Sequence, residues 1–349
     1  MCEPALSGNG IDVNRRSSRV KKSVEKEDEG FGTDNNGDGA AMPPPPFARW
    51  VSGMAGDRFE AIRADDAPPI ESVDELRRHY DRINSARLEV ANRHYPVETE
   101  ALVINGIPAQ LVRRPSAPPD KILICLHGGA FMWGNGAGAL IEAVPVAAVA
   151  DMAVLAVEYR LAPEHPYPCA VLDVLTVIDD LRSKNPALKL GIYGCSAGAV
   201  LTAQVVSRMI QRGDRLPEGI AMLHAAGVDL GGDSLEMAAL LNGTADAAAV
   251  QRLHDLPYFA GTDPKDASVF PGEHPAVLAR FPPALLVSGT RDFAASSVTV
   301  MHRRLRAAGR EAELTMFDGM WHAHHVDVDL PESREVFALL AAFFQKRLC

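Results

Sequence analysis

One serine in this chain stands where it could act as a nucleophile. It is Ser196, inside Gly194-Cys195-Ser196-Ala197-Gly198. A short apolar run, Leu188 to Tyr193, precedes the pentapeptide, and a helix-compatible segment, Ala199 to Gly213, follows it. Strand, sharp turn and helix is the setting in which G-x-S-x-G has chemical meaning. Glycines are needed because side chains at those positions would strike the adjoining strand and helix. The turn lifts the hydroxyl above the sheet. It also sets the next N–H at a helix start, where it can stabilise an oxyanion. A serine hydroxyl is a weak nucleophile at neutral pH, so it needs a base, and the base needs an orienting acid.

In sheets of this kind the order along the chain is serine, acid, histidine. Asp292 follows the apolar run Ala284–Ser288 through Gly289-Thr290-Arg291. The plainer reading of Asp292 is a cap for the helix expected from Ser297. His322 follows the run Ala312–Phe317 through Asp318-Gly319-Met320-Trp321. His324 and His325 compete with it, and proximity to the strand end favours His322. The second half of an oxyanion hole is expected after Ile122–Leu126, where the sequence reads His127-Gly128-Gly129-Ala130-Phe131. Adjacent glycines let backbone N–H groups converge on one point, although an ordinary Gly-Gly turn would read the same way. The expected donors are Gly128, Gly129 and Ala197, and His127 reads as a loop-shaping residue. Tyr159 to Pro168 is a proline-locked loop with charged groups. It is expected to brace the oxyanion loop from behind.

These groups need a rigid frame. Val97–Val103 and Ile107–Arg113 flank Asn105-Gly106, a hairpin signal. Six apolar runs then read as strands: Ile122–Leu126, Ala153–Glu158, Leu188–Tyr193, Ile220–Ala225, Ala284–Ser288 and Ala312–Phe317. Helices are expected over Ala170–Lys184, Ala199–Gly213, Ser297–Ala308 and Glu332–Arg347. An antiparallel hairpin followed by strand–helix alternation implies an α/β fold with a mostly parallel sheet covered on both faces. Ser72-Val73-Asp74-Glu75 is a capping box that opens a helix running to about Asn92. Asp229 to Phe281 is too long for a simple connection, with helical fragments at Ser234–Leu241 and Ala245–Leu256. It reads as an excursion over the carboxyl ends of the strands. The expected division is therefore a disordered tail over 1–46, a cap from 47–95 and 229–279, and a core from 96–228 and 280–349. How Trp50, Phe59, Met237 and Leu256 fold over Ser196 would set the depth of the pocket.

Composition narrows the partners. The chain has 349 residues, 47% of them hydrophobic, which suits one large globular domain with additions. A net charge of −10 argues against a nucleic-acid surface. The longest apolar stretch, Ala139 to Val157, is interrupted by Glu142, Pro145 and Asp151, so no membrane helix is expected. Five scattered cysteines without metal spacing suggest no metal site and a reduced, cytoplasmic setting. No apolar core follows the N-terminal basic residues, so no secretory signal is read there. The basic run Arg15 to Lys22 reads as a solvated charge run. Residues 1–46 hold a single aromatic and end in four prolines. Such a segment buries too little to order itself.

The motifs in order, HGGAF, YRLAPEHPYP, GCSAG and then Asp292 and His322, resemble the hormone-sensitive-lipase-like α/β-hydrolases, the bacterial family IV esterases. The likeness covers roughly Phe47 to the C-terminus. It implies an α/β-hydrolase fold with an eight-stranded sheet, a helical cap and no cofactor. It further implies Ser196 as nucleophile, His322 as base, Asp292 as orienting acid, and donors from Gly128, Gly129 and Ala197. The implied activity is hydrolysis of small acyl esters, with a lactone hydrolase as the near alternative. A non-catalytic receptor like those for gibberellin, which lack the histidine, is the reading of another class. Nothing in the sequence suggests the charged subsite of a peptidase. Members of the family often dimerise through sheet edges, so a homodimer is an expectation. Three departures stand out: Cys195 before the serine, Ala130 in place of a glycine, and Ala323 after the histidine. Cys195 is either a small apolar filler or a thiol that makes the site sensitive to oxidation.

Overall fold

The computed structural model describes residues 43–64, 70–243 and 252–349. Most of the expected tail, the basic run Arg15–Lys22 and the start of the Ala245–Leu256 fragment lie outside these residues. Two helices open the described chain, α1 (Gly53–Arg63) and α2 (Val73–His94). Ser72 caps α2 by accepting the Glu75 N–H at 3.2 Å, as the sequence pattern requires. Ser52 caps α1, and its own N–H and hydroxyl are donated to Glu332 at 2.8 and 2.9 Å.

The remaining elements alternate along the chain. They are β1 (Glu98–Ile104), β2 (Ile107–Arg113), β3 (Lys121–Leu126), α3 (Ala137–Ala150), β4 (Ala153–Val157), α4 (Cys169–Lys184), β5 (Lys189–Cys195), α5 (Ala197–Arg212) and β6 (Gly219–Leu223). Short helices α6 (Asp233–Glu236), α7 (Ala238–Asn242) and α8 (Pro275–Leu278) follow. The chain ends with β7 (Ala284–Gly289), α9 (Ala295–Ala307), β8 (Ala312–Phe317) and α10 (Pro331–Arg347). The described end of the expected Ala245–Leu256 helix is a 3-10 turn, Leu253–Asp255, with Pro257 soon after it.

The eight strands form one sheet in the order β1-β2-β4-β3-β5-β6-β7-β8. β1 and β2 are antiparallel to their neighbours, and β3 to β8 run parallel. Two apolar layers sandwich the sheet. One holds the buried faces of α4, α5 and α9. The other holds α3 and α10. The parallel strands are buried on both faces, which is why their sequences read as continuous apolar runs. The same rule explains α3, which the sequence reading left without an element. It is buried nearly all round, so it lacks the polar face that reveals a helix, and Glu142 and Pro145 interrupt it further.

Candidate active site

The loops after β3, β5, β7 and β8 all leave the sheet at its carboxyl edge, where open α/β sheets bind ligands. Ser196 lies directly after β5 with φ 53° and ψ −119°, a strained setting for a residue with a side chain. The flanking glycines are sterically required. A Cβ on Gly198 would sit 1.8 Å from the Leu126 carbonyl oxygen, and one on Gly194 would meet Gly198 at 2.4 Å. The Ser196 N–H is donated to Leu223 of β6 at 2.8 Å, which pins the turn on its strand side.

Residues far apart in sequence converge on this serine. His322 Nε2 lies 2.9 Å from Ser196 Oγ, and His322 Nδ1 lies 2.8 Å from Asp292 Oδ1. The competing histidines do not reach the hydroxyl. His324 and His325 turn into the interior, where burial and repulsion from His224 push their pKa values well below the ordinary range. Asp292 also takes the Ala294 N–H at 2.9 Å, so it braces the approach to α9 as well.

Two further groups hold the Asp292 carboxylate. His224 Nδ1 lies 2.7 Å from Oδ2, and the Ser288 hydroxyl donates to the same oxygen at 2.8 Å. Burial alone would raise the Asp292 pKa. The charge on His322 and hydrogen bonds from both imidazoles outweigh it, so the carboxyl stays well below the usual carboxylate range. Sequence reading missed His224. Its signal was a polar residue directly after β6, on the same edge that carries Ser196, Asp292 and His322.

The glycine loop departs from the expectation at one donor. The Gly128 N–H is given to the Glu142 carboxyl at 2.7 Å and so is already engaged. Among the described residues no partner takes the N–H of Gly129, Ala130 or Ala197. All three line the cavity of about 600 Å³ that holds Ser196 and His322. The N–H groups left free beside Ser196 are therefore those of Gly129, Ala130 and Ala197, and the expected donor Gly128 is engaged elsewhere. Gly129 has φ +119°, and a Cβ there would lie 2.0 Å from the Trp133 carbonyl oxygen, so no other residue fits. Ala130 and Phe131 also adopt positive φ, at 50° and 62°.

The strained loop is braced from several sides. Tyr159 donates its hydroxyl to the His127 carbonyl at 2.7 Å and stacks on that imidazole with ring centroids 4.3 Å apart. The Ala162 N–H reaches the Phe131 carbonyl at 2.8 Å. Arg160 of the same proline-rich segment forks onto Asp173 of α4. From α2, Arg77 donates to the carbonyls of Met132 and Ala162 and pairs with Glu164. Tyr80 stacks on Trp133 at 4.3 Å.

Part of the cavity wall comes from the two segments read above as additions to the core. Ile62, Tyr80, Asn84 and Arg87 approach from α1 and α2, and Leu230, Leu253 and Leu256 from the long excursion. Of the residues expected to set its depth, only Leu256 lines it. Trp50 and Met237 are 71% and 43% exposed, and Phe59 packs against Phe47 and Trp321.

Among the described residues, two clusters bring metal-ligand residue types within 4.8 Å: His224, Asp292 and His322, and Glu142, Cys195 and His325. The first is committed to its own hydrogen bonds. In the second, burial raises the pKa of both the thiol and the carboxyl, which removes the negative charge a divalent ion needs. Burial likewise makes Cys195 an apolar filler among the side chains of α3, β6 and β7 and not a reactive thiolate.

Residues 123–326 match the profile of a family described as alpha/beta hydrolase fold. The chain is 26% identical to an acetyl-hydrolase of Streptomyces hygroscopicus, over 66% of this chain and 78% of that protein. An esterase from the bacterial hormone-sensitive lipase family superposes with a TM-score of 0.76 at 25% identity, covering 86% of this chain and all of that one. Esterase E25 superposes at 0.70 with 29% identity, covering 88% of this chain and 99% of that one.

Proposed function

The chain belongs to the hormone-sensitive-lipase-like family of α/β-hydrolases, and on that premise we propose that it is a serine carboxylesterase acting on small, short-chain esters through an acyl-enzyme. Ester hydrolysis is the chemistry of the family. The finer reading is carried by the hydrogen-bonded line from Asp292 through His322 to Ser196. Ser196 Oγ attacks the ester carbonyl as His322 Nε2 takes its proton. Asp292 holds the imidazole through Nδ1 and stabilises its cation. The carbonyl oxygen becomes an oxyanion and accepts from the N–H groups of Gly129, Ala130 and Ala197. His322 then returns the proton to the departing alcohol. Water, activated by the same imidazole, attacks the acyl-serine and frees the acid.

The cavity supports the substrate class. Its volume of about 600 Å³ lies within the range of small-molecule sites. Leu230, Leu253, Leu256 and Ile62 offer apolar wall to an acyl chain. We read residues 47–95 and 229–279 as the two parts of a cap that closes over this space.

Ser196→Ala should lower kcat on p-nitrophenyl butyrate by about 10⁴-fold or more, the scale of triad deletions. A variant that keeps wild-type turnover would overturn the assignment. A fluorophosphonate should label Ser196 covalently, whereas a non-catalytic receptor with this fold would stay unlabelled. In a series from acetate to palmitate esters, kcat/KM should peak at the short end. A maximum at palmitate would sink the short-chain claim.

A further inference from the structure

Glu142 is a buried acid that the reaction above does not use. It projects from α3 at 6% exposure and lines the cavity beside Ser196. Its carboxyl takes the Gly128 N–H at 2.7 Å. Its own backbone carbonyl takes the Tyr193 hydroxyl at 3.0 Å, which ties this turn of α3 to β5, the strand that carries the serine. Gly128 is wedged in between. A Cβ there would lie 3.4 Å from the Glu142 carboxyl and 3.5 Å from Ser196 Cβ. Any movement of Gly128 is thus a movement of the loop against the nucleophile.

We propose that Glu142 is a positioning residue for the oxyanion loop: it holds the Gly128 N–H so that the N–H groups of Gly129 and Ala130 stay free and aimed at the reacting carbonyl oxygen. The inference rests on the serine-esterase reading and names the group that sets its oxyanion hole. A buried carboxyl without a cation is costly, and such groups persist where they do a specific task. The titratable groups facing it are Cys125 of β3, Tyr159 after β4, Tyr193 and Cys195 of β5, and His325 after β8. Arg87 of α2 lines the same cavity but is bonded to Asp327. Burial holds the thiols and phenols protonated and His325 uncharged, so none of them neutralises a carboxylate. Burial raises the Glu142 pKa to about 8, with the Gly128 N–H opposing. Near neutrality the acid is uncharged and holds the loop without placing negative charge beside a developing oxyanion. Above pH 8 that charge appears and opposes the transition state.

The test pairs Glu142→Leu with Glu142→Gln, each checked for folding by circular dichroism. Glu142→Leu should lower kcat by about 10- to 100-fold with KM nearly unchanged, short of the full loss of an oxyanion donor. Glu142→Gln, whose amide oxygen can accept from Gly128, should restore most of that loss. Wild-type kcat should fall as pH rises through about 8, and the glutamine variant should lack that fall. Hydrogen–deuterium exchange reads the latch independently of turnover, so it still decides if the esterase reading itself fails. Peptides spanning 127–134 should exchange at least tenfold faster in Glu142→Leu and at the wild-type rate in Glu142→Gln. Unchanged exchange in the leucine variant, or a change confined to KM, would overturn the proposal.

Discussion

Asp292 accepts from two imidazoles, one hydroxyl and one backbone N–H, and its two oxygens divide the work. Oδ1 serves His322 and the Ala294 N–H, while Oδ2 is fixed by His224 and Ser288. His224 thereby sets the rotation of the carboxylate and the aim of Oδ1. A hydrogen bond to a buried charge is worth about 1.5–3 kcal/mol, and part of that should appear in the barrier. His224→Phe keeps the ring's bulk and removes the donor. It should reduce kcat about tenfold with KM little changed, measured by steady-state kinetics on the folded variant. A variant with unchanged kcat would show that Ser288 alone orients the acid.

At the scale of elements, the oxyanion loop is a strained segment held between α2, α3 and the proline-rich turn after β4. Arg77 is the main tie from α2. It makes two bonds to loop carbonyls and one ion pair. The ion pair with Glu164 is partly exposed and screened, so it is worth at most a few tenths of a kcal/mol. The bonds to the Met132 and Ala162 carbonyls carry the rest, about 1 kcal/mol together after solvent exchange. Arg77→Met should therefore lower stability by roughly 1 kcal/mol and kcat severalfold. Glu164→Gln should stay within about 0.5 kcal/mol of wild type. Chemical denaturation of the two variants distinguishes carbonyl anchoring from charge pairing, because only anchoring separates them.

Across the whole molecule, pH acts on two buried sets with opposite sign. Burial holds His127, His224, His324 and His325 below their ordinary value of 6.5. The unfolded chain then binds more protons below pH 6.5, so these groups withdraw stability as pH falls from there. Asp292, depressed below 3.8, adds a further loss under more acidic conditions. Glu142 runs the other way. Its pKa rises from 4.5 to about 8 on folding, so its contribution is present below 4.5 and is lost as pH rises to about 8. Each differential proton is worth about 1.4 kcal/mol per pH unit. Four histidines outweigh one glutamate below 6.5, so stability should peak near that pH and decline to about 8. Thermal melts across pH 4 to 9 check the shape, and Glu142→Gln should remove the alkaline decline. A monotonic rise to pH 9 in the wild type would contradict it.

The amino-acid order by itself determined the strands, because a strand buried on both faces must be apolar throughout, and the serine turn, because only glycines clear the neighbouring strand and helix. It marked Asp292 and His322 through their places after β7 and β8. It left α3 unread, since a helix buried on every side has no polar stripe to betray it. Tertiary structure brought His322, the histidine nearest the strand end, to Ser196, and it alone showed that His224 shares the acid. It alone placed Glu142 on the Gly128 N–H, which leaves the Ala130 N–H free in its stead. These are contacts between groups 14 to 126 positions apart. They depend on strand order, sheet twist and the path of each loop, and no local pattern of residue types encodes those distances.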